Sequence, residues 1–355
     1  MNKIIDLRSD TVTLPTDEML RAISDAKFGD DVFQEDPTVN ELEDKAAGMM
    51  GKEAGLLIPS GTMGNLVSIL VHCERGTEII LGNKSHTFMY EAGGISAFGG
   101  IHSRQLTNQL DGTIKLSDIK SAIRVDNIHF PRTSAIALEN THNLCNGSPL
   151  GPIYLGEVAQ IAHDNEMQLH IDGARIFNAA VAQGVDVKDL VTDADSVTFC
   201  LSKGLSAPVG SIICGNEEFI YNARRIRKAL GGGMRQAGII AAAGIVSLEK
   251  MIDQIRKDHN NIQILVEGIS KIEGLVVDKK NIKSNILYFD IEKGRERSLE
   301  LVIQTANKDL YPFDIILDDI HFLETSPNRF RLVTHYGIKH EGVERTLMVL
   351  ERMID

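Results

Sequence analysis

The chain has 355 residues, which at about 100–200 residues per domain predicts one large and one smaller domain and excludes a small disulfide-stapled scaffold. Its 49 acidic and 37 basic residues give a formal net charge of −12, so it lacks the positive charge on which nonspecific binding to nucleic acid or to anionic membranes rests. The 4 cysteines are widely spaced and form no C-x-x-C pair, so neither a disulfide framework nor a metal site is predicted.

The N-terminal sequence and the distribution of apolar residues predict a cytoplasmic protein. The first ten residues, MNKIIDLRSD, contain acidic and basic groups and no apolar stretch of signal-peptide length. No other segment has about 18 consecutive apolar residues, which a membrane-spanning helix requires. We therefore expect a soluble protein without a membrane partner.

Two helices are predicted before residue 52. Thr16 follows a proline and precedes two acidic residues, which is typical of a capped helix start. Apolar residues then recur at helical spacing from Val39 to Met49, and this pattern ends near Gly51.

From Gly55 to about Gly215, short apolar runs alternate with amphipathic segments, as βα units around a largely parallel sheet do. The predicted strands are Leu56–Pro59, Glu78–Leu81, Ala135–Leu138, Gln168–Ile171, Ser196–Leu201 and Ser211–Cys214. Because apolar residues continue through each run without alternating, we expect both faces of the sheet to be covered. This region is the core of a large domain predicted over residues 1–245.

The remaining residues predict a smaller domain. From about Gln236 to Ile272 the apolar positions keep helical spacing without a proline, which favours a helix or a helix pair between two lobes. The segments that follow are Asn285–Ile291, Ser298–Asn307 and Phe330–Val333, then a helical tail from Glu341 to Asp355. This order predicts a small α+β domain over residues 246–355.

A turn of small residues is a candidate anion-binding site. Residues 60–65, SGTMGN, follow a predicted strand and open an apolar helix, whose first N–H groups carry partial positive charge and can hold a phosphate. An ordinary tight turn explains these six residues about as well as an anion-binding site does. The sequence SGTMGN does not match G-x-G-x-x-G or the phosphate-loop lysine signature, which disfavours NAD and ATP as ligands.

Two charged residues follow predicted buried strands. Asp172 ends one strand, where it can hold a protonated ring nitrogen or cap the next helix. Lys203 follows another strand and lies between small residues, where a desolvated amine can attack carbonyls, although a surface role remains open. A phosphate cradle, a carboxylate and a lysine are together what pyridoxal 5′-phosphate (PLP) requires, so we predict a PLP site.

Nine ordered motifs resemble those of the threonine aldolase family of β-eliminating lyases. They are IDLRSDTVTLPT, GDDVFQEDPTVNELE, IPSGTMGN, SHTFMYEAGG, LENTHN, HIDGARIFNAA, SKGLSAPVGS, GGGMRQAG and RLVTH, and they span Ile5 to His335. The resemblance implies an α/β chain with the aspartate-aminotransferase-like fold of PLP-dependent transferases (fold type I). It implies a mainly parallel sheet in the large domain, a small α+β C-terminal domain, and a homo-oligomer assembled as a dimer of dimers.

The resemblance also implies how the cofactor is held. Lys203 is similar to the lysine that holds PLP as an internal aldimine, and Asp172 is similar to the carboxylate that keeps the pyridine nitrogen protonated. Gly61 and Thr62 match the phosphate-binding pair at the helix start. His86 matches a histidine that stacks on the cofactor ring.

The substrate side is implied in the same way. Ser9, Arg175 and Arg331 match residues that hold the substrate carboxylate, since guanidinium forks fit carboxylates in a bidentate way. His142 resembles a second histidine placed near the substrate hydroxyl. Arg175 is also expected beside the cofactor.

Four further positions bear on the edge of the pocket. Arg235 matches a residue near the cofactor that its own or a neighbouring subunit supplies, and Tyr90 lines the pocket or packs beneath it. Gly337 stands where family members commonly have an acidic residue, and Phe33 where they commonly have tyrosine. Both departures leave substrate preference open.

The predicted reaction is the retro-aldol cleavage of L-threonine or L-allo-threonine to glycine and acetaldehyde, with His86, His142 or a water that they hold as the base. The alternatives are another PLP-dependent β-elimination, hydroxymethyl transfer from serine, or a PLP-binding scaffold without turnover. A nucleotide-dependent dehydrogenase is disfavoured because its glycine fingerprint is missing. Since cofactor and substrate are anionic, we expect the site to be positive despite the negative net charge.

Overall fold

The computed structural model describes residues 4–292 and 313–354. The strands are β1 (Ile5–Asp6), β2 (Ala54–Ile58), β3 (Glu78–Gly82), β4 (His102–Leu106), β5 (Thr133–Glu139), β6 (Gln168–Asp172), β7 (Ser196–Cys200), β8 (Ser211–Gly215), β9 (Leu275–Val277), β10 (Ile286–Ile291), β11 (Phe313–Leu317), β12 (Ile320–Ser326) and β13 (Arg329–Val333). They form one sheet of seven strands and one of six.

The helices surround these two sheets. They are α1 (Asp17–Asp25), α2 (Pro37–Met50), α3 (Gly61–His72), α4 (His86–Met89), α5 (Gly94–Ala97), α6 (Leu116–Ala122), α7 (Pro152–His163), α8 (Ile176–Gln183), α9 (Glu217–Ala229), α10 (Gly238–Lys250), α11 (Ile252–Ile269) and the C-terminal helix (His340–Ile354). Within the described ranges, no helix is both long enough and apolar enough to cross a membrane.

The helix boundaries predicted near the N-terminus are confirmed. The Thr16 hydroxyl accepts a hydrogen bond from the Met19 N–H at 3.2 Å and so caps α1. Helix α2 ends at Gly51, whose φ of 63° is a left-handed conformation that glycine adopts without a steric penalty.

The seven-stranded sheet has the order β2-β8-β7-β6-β5-β3-β4. Strand β8 is antiparallel to both of its neighbours, and the other pairs are parallel, so six strands point the same way and their carboxyl ends share one edge. Every residue of β3, β7 and β8 is buried, which confirms the predicted cover on both faces. We call the shared edge the carboxyl edge.

The smaller sheet has the order β1-β12-β13-β10-β9, with β11 paired to β12. The hydrophobic core beside this sheet is more aromatic than the mainly aliphatic core beside the large sheet. In it the rings of Phe289 and Phe330 stack with 5.2 Å between their centroids. Helices α10 and α11 cover the predicted long helical stretch as a pair. The predicted segment Ser298–Asn307 lies outside the described residues.

The N-terminal strand joins the smaller sheet. Residues Ile5 and Asp6 pair in parallel with β12, and Leu7 is fully buried in the hydrophobic cluster of the smaller sheet. The first described residues of the chain therefore pack with the smaller sheet. The two predicted domains and their boundary near residue 245 stay a prediction.

Candidate active site

The predicted site residues gather at the carboxyl edge of the large sheet. Asp172 is the last residue of β6, Lys203 follows β7, and Gly61 opens α3 directly after β2. His86 and His142 follow β3 and β5. Ligands of open α/β sheets bind outside the carboxyl ends of strands, so the topology alone makes this edge the candidate site.

Asp172 is buried and held by two donors. Its Oδ2 accepts a hydrogen bond from the Asn65 amide at 2.9 Å, and its Oδ1 accepts one from the Ala174 N–H at 3.1 Å. Burial and the nearby charge of Glu139 raise the pKa of the Asp172 carboxyl, while the Lys203 charge opposes them. Lys203 is therefore close enough to act electrostatically on Asp172.

Asn65 joins two buried carboxylates and was missed by the sequence analysis. Its Nδ2 donates to Asp172 Oδ2 at 2.9 Å and to Glu91 Oε1 at 2.8 Å. On its other side, Asn65 Oδ1 lies 3.2 Å from Nε2 of His170. Asn65 and Glu91 both lie inside motifs that carried the family resemblance, but nothing in the motif letters shows that the two side chains meet.

His86 is bound by two glutamates. Its Nδ1 lies 2.8 Å from Glu91 Oε1, and its backbone N–H donates to Glu139 Oε2 at 2.7 Å. Burial lowers the pKa of His86, but the hydrogen bond to Glu91 and nearby negative charges outweigh it, so the pKa is raised. The half-exposed Tyr90 ring is tilted beside His86, with 5.6 Å between the centroids.

The LENTHN segment connects several site residues. Glu139 accepts through Oε1 from the Asn143 N–H at 2.8 Å, and its Oε2 lies 4.0 Å from Nε2 of His142. The His142 ring is buried, and neither of its nitrogens has a hydrogen-bond partner within the described part of the chain. Buried polar atoms are rarely left unpaired, so this ring fits a pocket that a ligand completes.

Arg175 is paired with a carboxylate of the protein, and its predicted contact with the substrate stays a prediction. Its Nε and Nη2 donate to the two carboxylate oxygens of Asp10 at 2.7 and 2.6 Å, and both side chains are buried. Burial would raise the pKa of Asp10, but the Arg175 charge holds it well below its usual range. The Asn285 amide approaches the same carboxylate at 3.3 Å.

The hydrogen-bond partners of Arg331 in the described part of the chain are neutral. Its Nη1 donates to Asn143 Oδ1 at 3.1 Å and its Nη2 to the Arg8 carbonyl at 3.0 Å. Its buried Nε has no partner among the residues that the structure describes. Ser9 lies near the other arginine instead, because its hydroxyl caps a short turn and lies 3.5 Å from Asp10 Oδ1.

Arg235 is not brought to the other predicted residues within one chain. Its exposed guanidinium donates to Asp30 Oδ2 at 3.0 Å, and its carbonyl accepts from the Asp31 N–H. Phe33, one of the two departures from the family pattern, is also exposed. The other, Gly337, donates its N–H to His335 Nδ1 at 3.2 Å.

The start of α3 fits a phosphate group. A Cβ at Gly61 would lie 2.8 Å from Cys200 Sγ, so glycine lets the helix start approach the end of β7, just before Lys203. Ser211 Oγ lies 3.7 Å from the same Cβ position, and both it and Ser206 Oγ are buried without a hydrogen-bond partner in the described ranges. The first N–H groups of a helix have no intrahelical acceptor.

Together these donors fit PLP. The N–H groups at Gly61 and Thr62 and the unpaired serine hydroxyls suit its phosphate, Asp172 suits its ring nitrogen, and Lys203 suits its aldehyde carbon. Four buried carboxylates line this region, however: Asp10, Glu91, Glu139 and Asp172. Asp10 neutralises Arg175, whereas neither hydrogen-bond acceptor of the Arg331 Nη atoms among the described residues is a carboxylate, and the positive sign of the site stays a prediction.

The chain has the α/β fold of fold type I PLP-dependent enzymes, with a mostly parallel large sheet, which confirms the predicted fold class. Residues 6–292 match the Beta-eliminating lyase family, and the chain belongs to that family. It is 44% identical to "Low-specificity L-threonine aldolase 1" of Arabidopsis thaliana over 98% of this chain and 96% of that protein.

Two further proteins support the assignment. "Low specificity L-threonine aldolase" of Escherichia coli (strain K12) is 41% identical over 95% of this chain and 96% of that protein. The solved structure of Leishmania major threonine aldolase matches with a TM-score of 0.80 over 99% of this chain and 100% of that chain. At 17% identity, that structure supports the fold alone.

Proposed function

We propose that this protein is a PLP-dependent aldehyde-lyase that cleaves L-threonine and L-allo-threonine to glycine and acetaldehyde. The observation that carries the proposal is the convergence of Lys203, Asp172 and the start of α3 on one edge of the sheet. Full-length similarity to proteins named low-specificity L-threonine aldolases supports the choice of substrate.

The cofactor would be held by residues from four strand ends. Lys203 would bind it covalently through its amine, Asp172 would hold its ring nitrogen, and the N–H groups at Gly61 and Thr62 would hold its phosphate. His86 would lie against its ring. When bound, PLP supplies an electron sink for the bond that breaks at the α-carbon of an amino acid.

Arg331 binds the substrate carboxylate in this proposal. Its Nη atoms donate to neutral partners among the residues that the structure describes, so its positive charge is left for an anion. Arg175 contributes through Nη1, the guanidinium nitrogen that does not bind Asp10, and Ser9 lies beside Asp10. Holding the carboxylate selects which α-carbon bond is aligned for cleavage, and such positioning lowers a barrier by several kcal/mol.

The proton of the substrate hydroxyl needs an acceptor at the same edge. His86 and His142 are the candidates, together with a water held between them, because neutral imidazole is a base near working pH. His142 offers two unpaired ring nitrogens, and His86 has a carboxylate on Nδ1. Both histidines therefore remain in the proposal.

Purified holoenzyme tests the function directly. L-Threonine should yield equal amounts of glycine and acetaldehyde, and Lys203→Ala should lose both this activity and the visible absorption band of lysine-bound PLP. Lys52→Ala is the matched control, since Lys52 contacts carbonyls of residues 192 and 194 at the opposite edge, and it should keep the band. Pyruvate and ammonia without acetaldehyde would instead indicate β-elimination.

The family resemblance supports an oligomeric assembly. We propose a cytoplasmic homotetramer built from dimers, in which Arg235 reaches the site of a neighbouring subunit. Sedimentation of the holoenzyme should give the mass of a tetramer. A monomer with full activity would contradict the shared site.

A further inference from the structure

Glu91 is a buried carboxylate at the site to which the proposed reaction assigns no role. It is only 5% exposed, and ligating atoms of His86, Glu91 and Asp172 all lie within 4.8 Å of one another. Two carboxylates so close repel each other, and the charge of Asp172 raises the pKa of Glu91 in addition to its burial. Such an arrangement is costly unless each group has a fixed partner.

The orientation of Asn65 follows from its neighbours. Ionised carboxylates only accept hydrogen bonds, so the Asn65 atom between Glu91 and Asp172 is the NH₂ group. The amide oxygen therefore faces His170, which donates through Nε2. Burial lowers the pKa of His170 to about 3, so this ring is neutral and carries its only proton on Nε2.

The hydrogen-bond chain continues away from the site. Nδ1 of the neutral His170 ring accepts from the Ser196 hydroxyl at 2.8 Å, and that oxygen lies 2.7 Å from Nε2 of His72. In this row of hydrogen bonds from His72 to Asn65, each donated proton thus points toward the two carboxylates. The hydrogen bond from His170 fixes the orientation of the Asn65 amide, and the Asn65 amide in turn fixes the position of the Glu91 carboxylate.

Glu91 then determines the protonation of His86. Its Oε1 accepts from Asn65 and lies 2.8 Å from Nδ1 of His86, so Nδ1 carries the proton. In the neutral ring Nε2 therefore has the lone pair, and Nε2 has no hydrogen-bond partner among the described residues. An imidazole held in this way presents one defined basic nitrogen.

We propose that Glu91, held by Asn65, is the positioning residue of His86: it keeps the proton on Nδ1 and makes Nε2 the nitrogen available to cofactor and substrate. This inference rests on the proposed function for its kinetic consequence. Its structural content concerns only the ring of His86 and holds whatever the substrate is.

The kinetic test is Glu91→Gln in the holoenzyme. Glutamine keeps the shape, and its amide oxygen takes the place of Oε1 because Asn65 donates there, so Nδ1 faces a neutral acceptor instead of a carboxylate and is held less firmly as the protonated nitrogen. A general base contributes about 10²–10⁴-fold to a rate, so we expect kcat for L-threonine to fall about tenfold or more. KM should change less than about threefold, because carboxylate binding by Arg331 is untouched.

The structural test uses histidine labelled with ¹⁵N and follows His86, whose signals are identified by their loss in His86→Asn. In the wild type we expect the proton on Nδ1. In Glu91→Gln we expect a larger share of the proton on Nε2, with the pKa of His86 lower by about one unit or more, since a carboxylate partner is replaced by a neutral amide. The acid limb of kcat/KM should move to lower pH with it.

Glu78→Gln is the matched control, because Glu78 is a buried carboxylate at the opposite end of β3 that pairs with Arg124 at 3.1 Å. It should leave the His86 signals and the pH profile unchanged.

A wild-type His86 protonated on Nε2, or Glu91→Gln with unaltered signals and kcat, would overturn the proposal. If Glu91→Gln does not fold, the wild-type signals decide alone. Failure of the wild type to cleave threonine would overturn the proposed function, while the His86 signals would still decide the role of Glu91.

Discussion

Arg175 and Arg331 received the same predicted task, yet the structure gives them different surroundings. Arg175 makes a buried bidentate ion pair with Asp10, whereas Arg331 is hydrogen-bonded to an amide oxygen and a backbone carbonyl. Asp10 therefore neutralises the charge of Arg175, whereas the Nη atoms of Arg331 donate to neutral acceptors among the described residues. Arg331 is consequently the stronger candidate for binding a substrate carboxylate.

The difference also concerns how the molecule is held together. Asp10 comes from the N-terminal segment, Arg175 follows β6 of the large sheet, and Asn285 precedes β10 of the smaller sheet. One buried carboxylate therefore links all three parts. A residue type and a motif predict a guanidinium near the substrate, but they do not show whether another side chain has already paired with it.

Arg175→Met should produce the largest loss of stability, because it leaves Asp10 charged and buried without its partner. Removal of one member of a buried ion pair costs about 3–5 kcal/mol of unfolding free energy. Denaturant unfolding of the holoenzyme measures it, and the double variant with Asp10→Asn should recover part of the loss. Equal losses in the single and double variants would show that the ion pair does not stabilise the fold.

Asp258 can be compared with Asp10, because it is also a buried carboxyl group but makes no ion pair with an arginine within the described residues. Its Oδ1 accepts from Gln254, its Oδ2 has no partner among the described residues, and burial and the Asp10 charge raise its pKa to about 7. Because the pKa of Asp258 is higher in the folded than in the unfolded protein, its protonation stabilises the fold. This stabilisation is complete below the unfolded-state pKa near 4 and is lost as the pH rises through the folded-state pKa of about 7. Asp10, with its lowered pKa, behaves oppositely and loses its contribution only in acid.

Asp258→Asn should therefore increase stability more at pH 8 than at pH 4. The pKa change from 3.8 to about 7 corresponds to about 4 kcal/mol of unfolding free energy between these two pH values. Unfolding curves at both pH values check this, with threonine cleavage as a control for the site. A gain of the same size at both pH values would mean that Asp258 does not titrate in this range.

Arg331→Gln tests the other arginine. A hydrogen bond to a charged group is worth about 1.5–3 kcal/mol, so kcat/KM for L-threonine should fall about 10–100-fold. Stability should change by less than about 1 kcal/mol, because no buried acid loses its partner. Steady-state kinetics and unfolding curves on the same preparation separate the two effects. A large loss of stability with unchanged kcat/KM would reverse the roles assigned to the two arginines.

Much of the fold could be predicted because buried parallel strands are continuous apolar runs. All six strands predicted for the large sheet were found, and the helix starting after Thr16 was correct. Strand β4 was missed because it is an edge strand, HSRQL, with none of its residues buried. The pairing of β1 with β12 was missed because a two-residue strand has no pattern, and its partner lies over 300 positions away.

The site was predictable where one residue type implies one chemistry. A lysine and an aspartate at the ends of neighbouring strands indicated PLP, and the strand order places them together. Asn65, Glu91 and Asp10 were missed because their roles come from contacts between elements distant in sequence. Local sequence therefore predicted the side chains expected to contact the cofactor better than the side chains that hold those groups in position.

Arg235 should show the smallest effect on stability. Its exposed ion pair with Asp30 belongs to a class worth about 0–1 kcal/mol, so Arg235→Gln should leave unfolding nearly unchanged. Because its guanidinium reaches no other predicted site residue within one chain, we expect it to act across a subunit boundary. Arg235→Gln should then be poorly active although stable.

Subunit mixing decides between the two placements of Arg235. Mixed oligomers of Arg235→Gln and Lys203→Ala chains contain some sites that receive an intact lysine from one chain and an intact arginine from its neighbour. Activity should therefore reappear on mixing, up to about a quarter of the wild-type level if chains assemble at random. If each site used its own Arg235, no mixed site would be complete and activity would stay absent, which would return Arg235 to its own chain and make it comparable to Arg331.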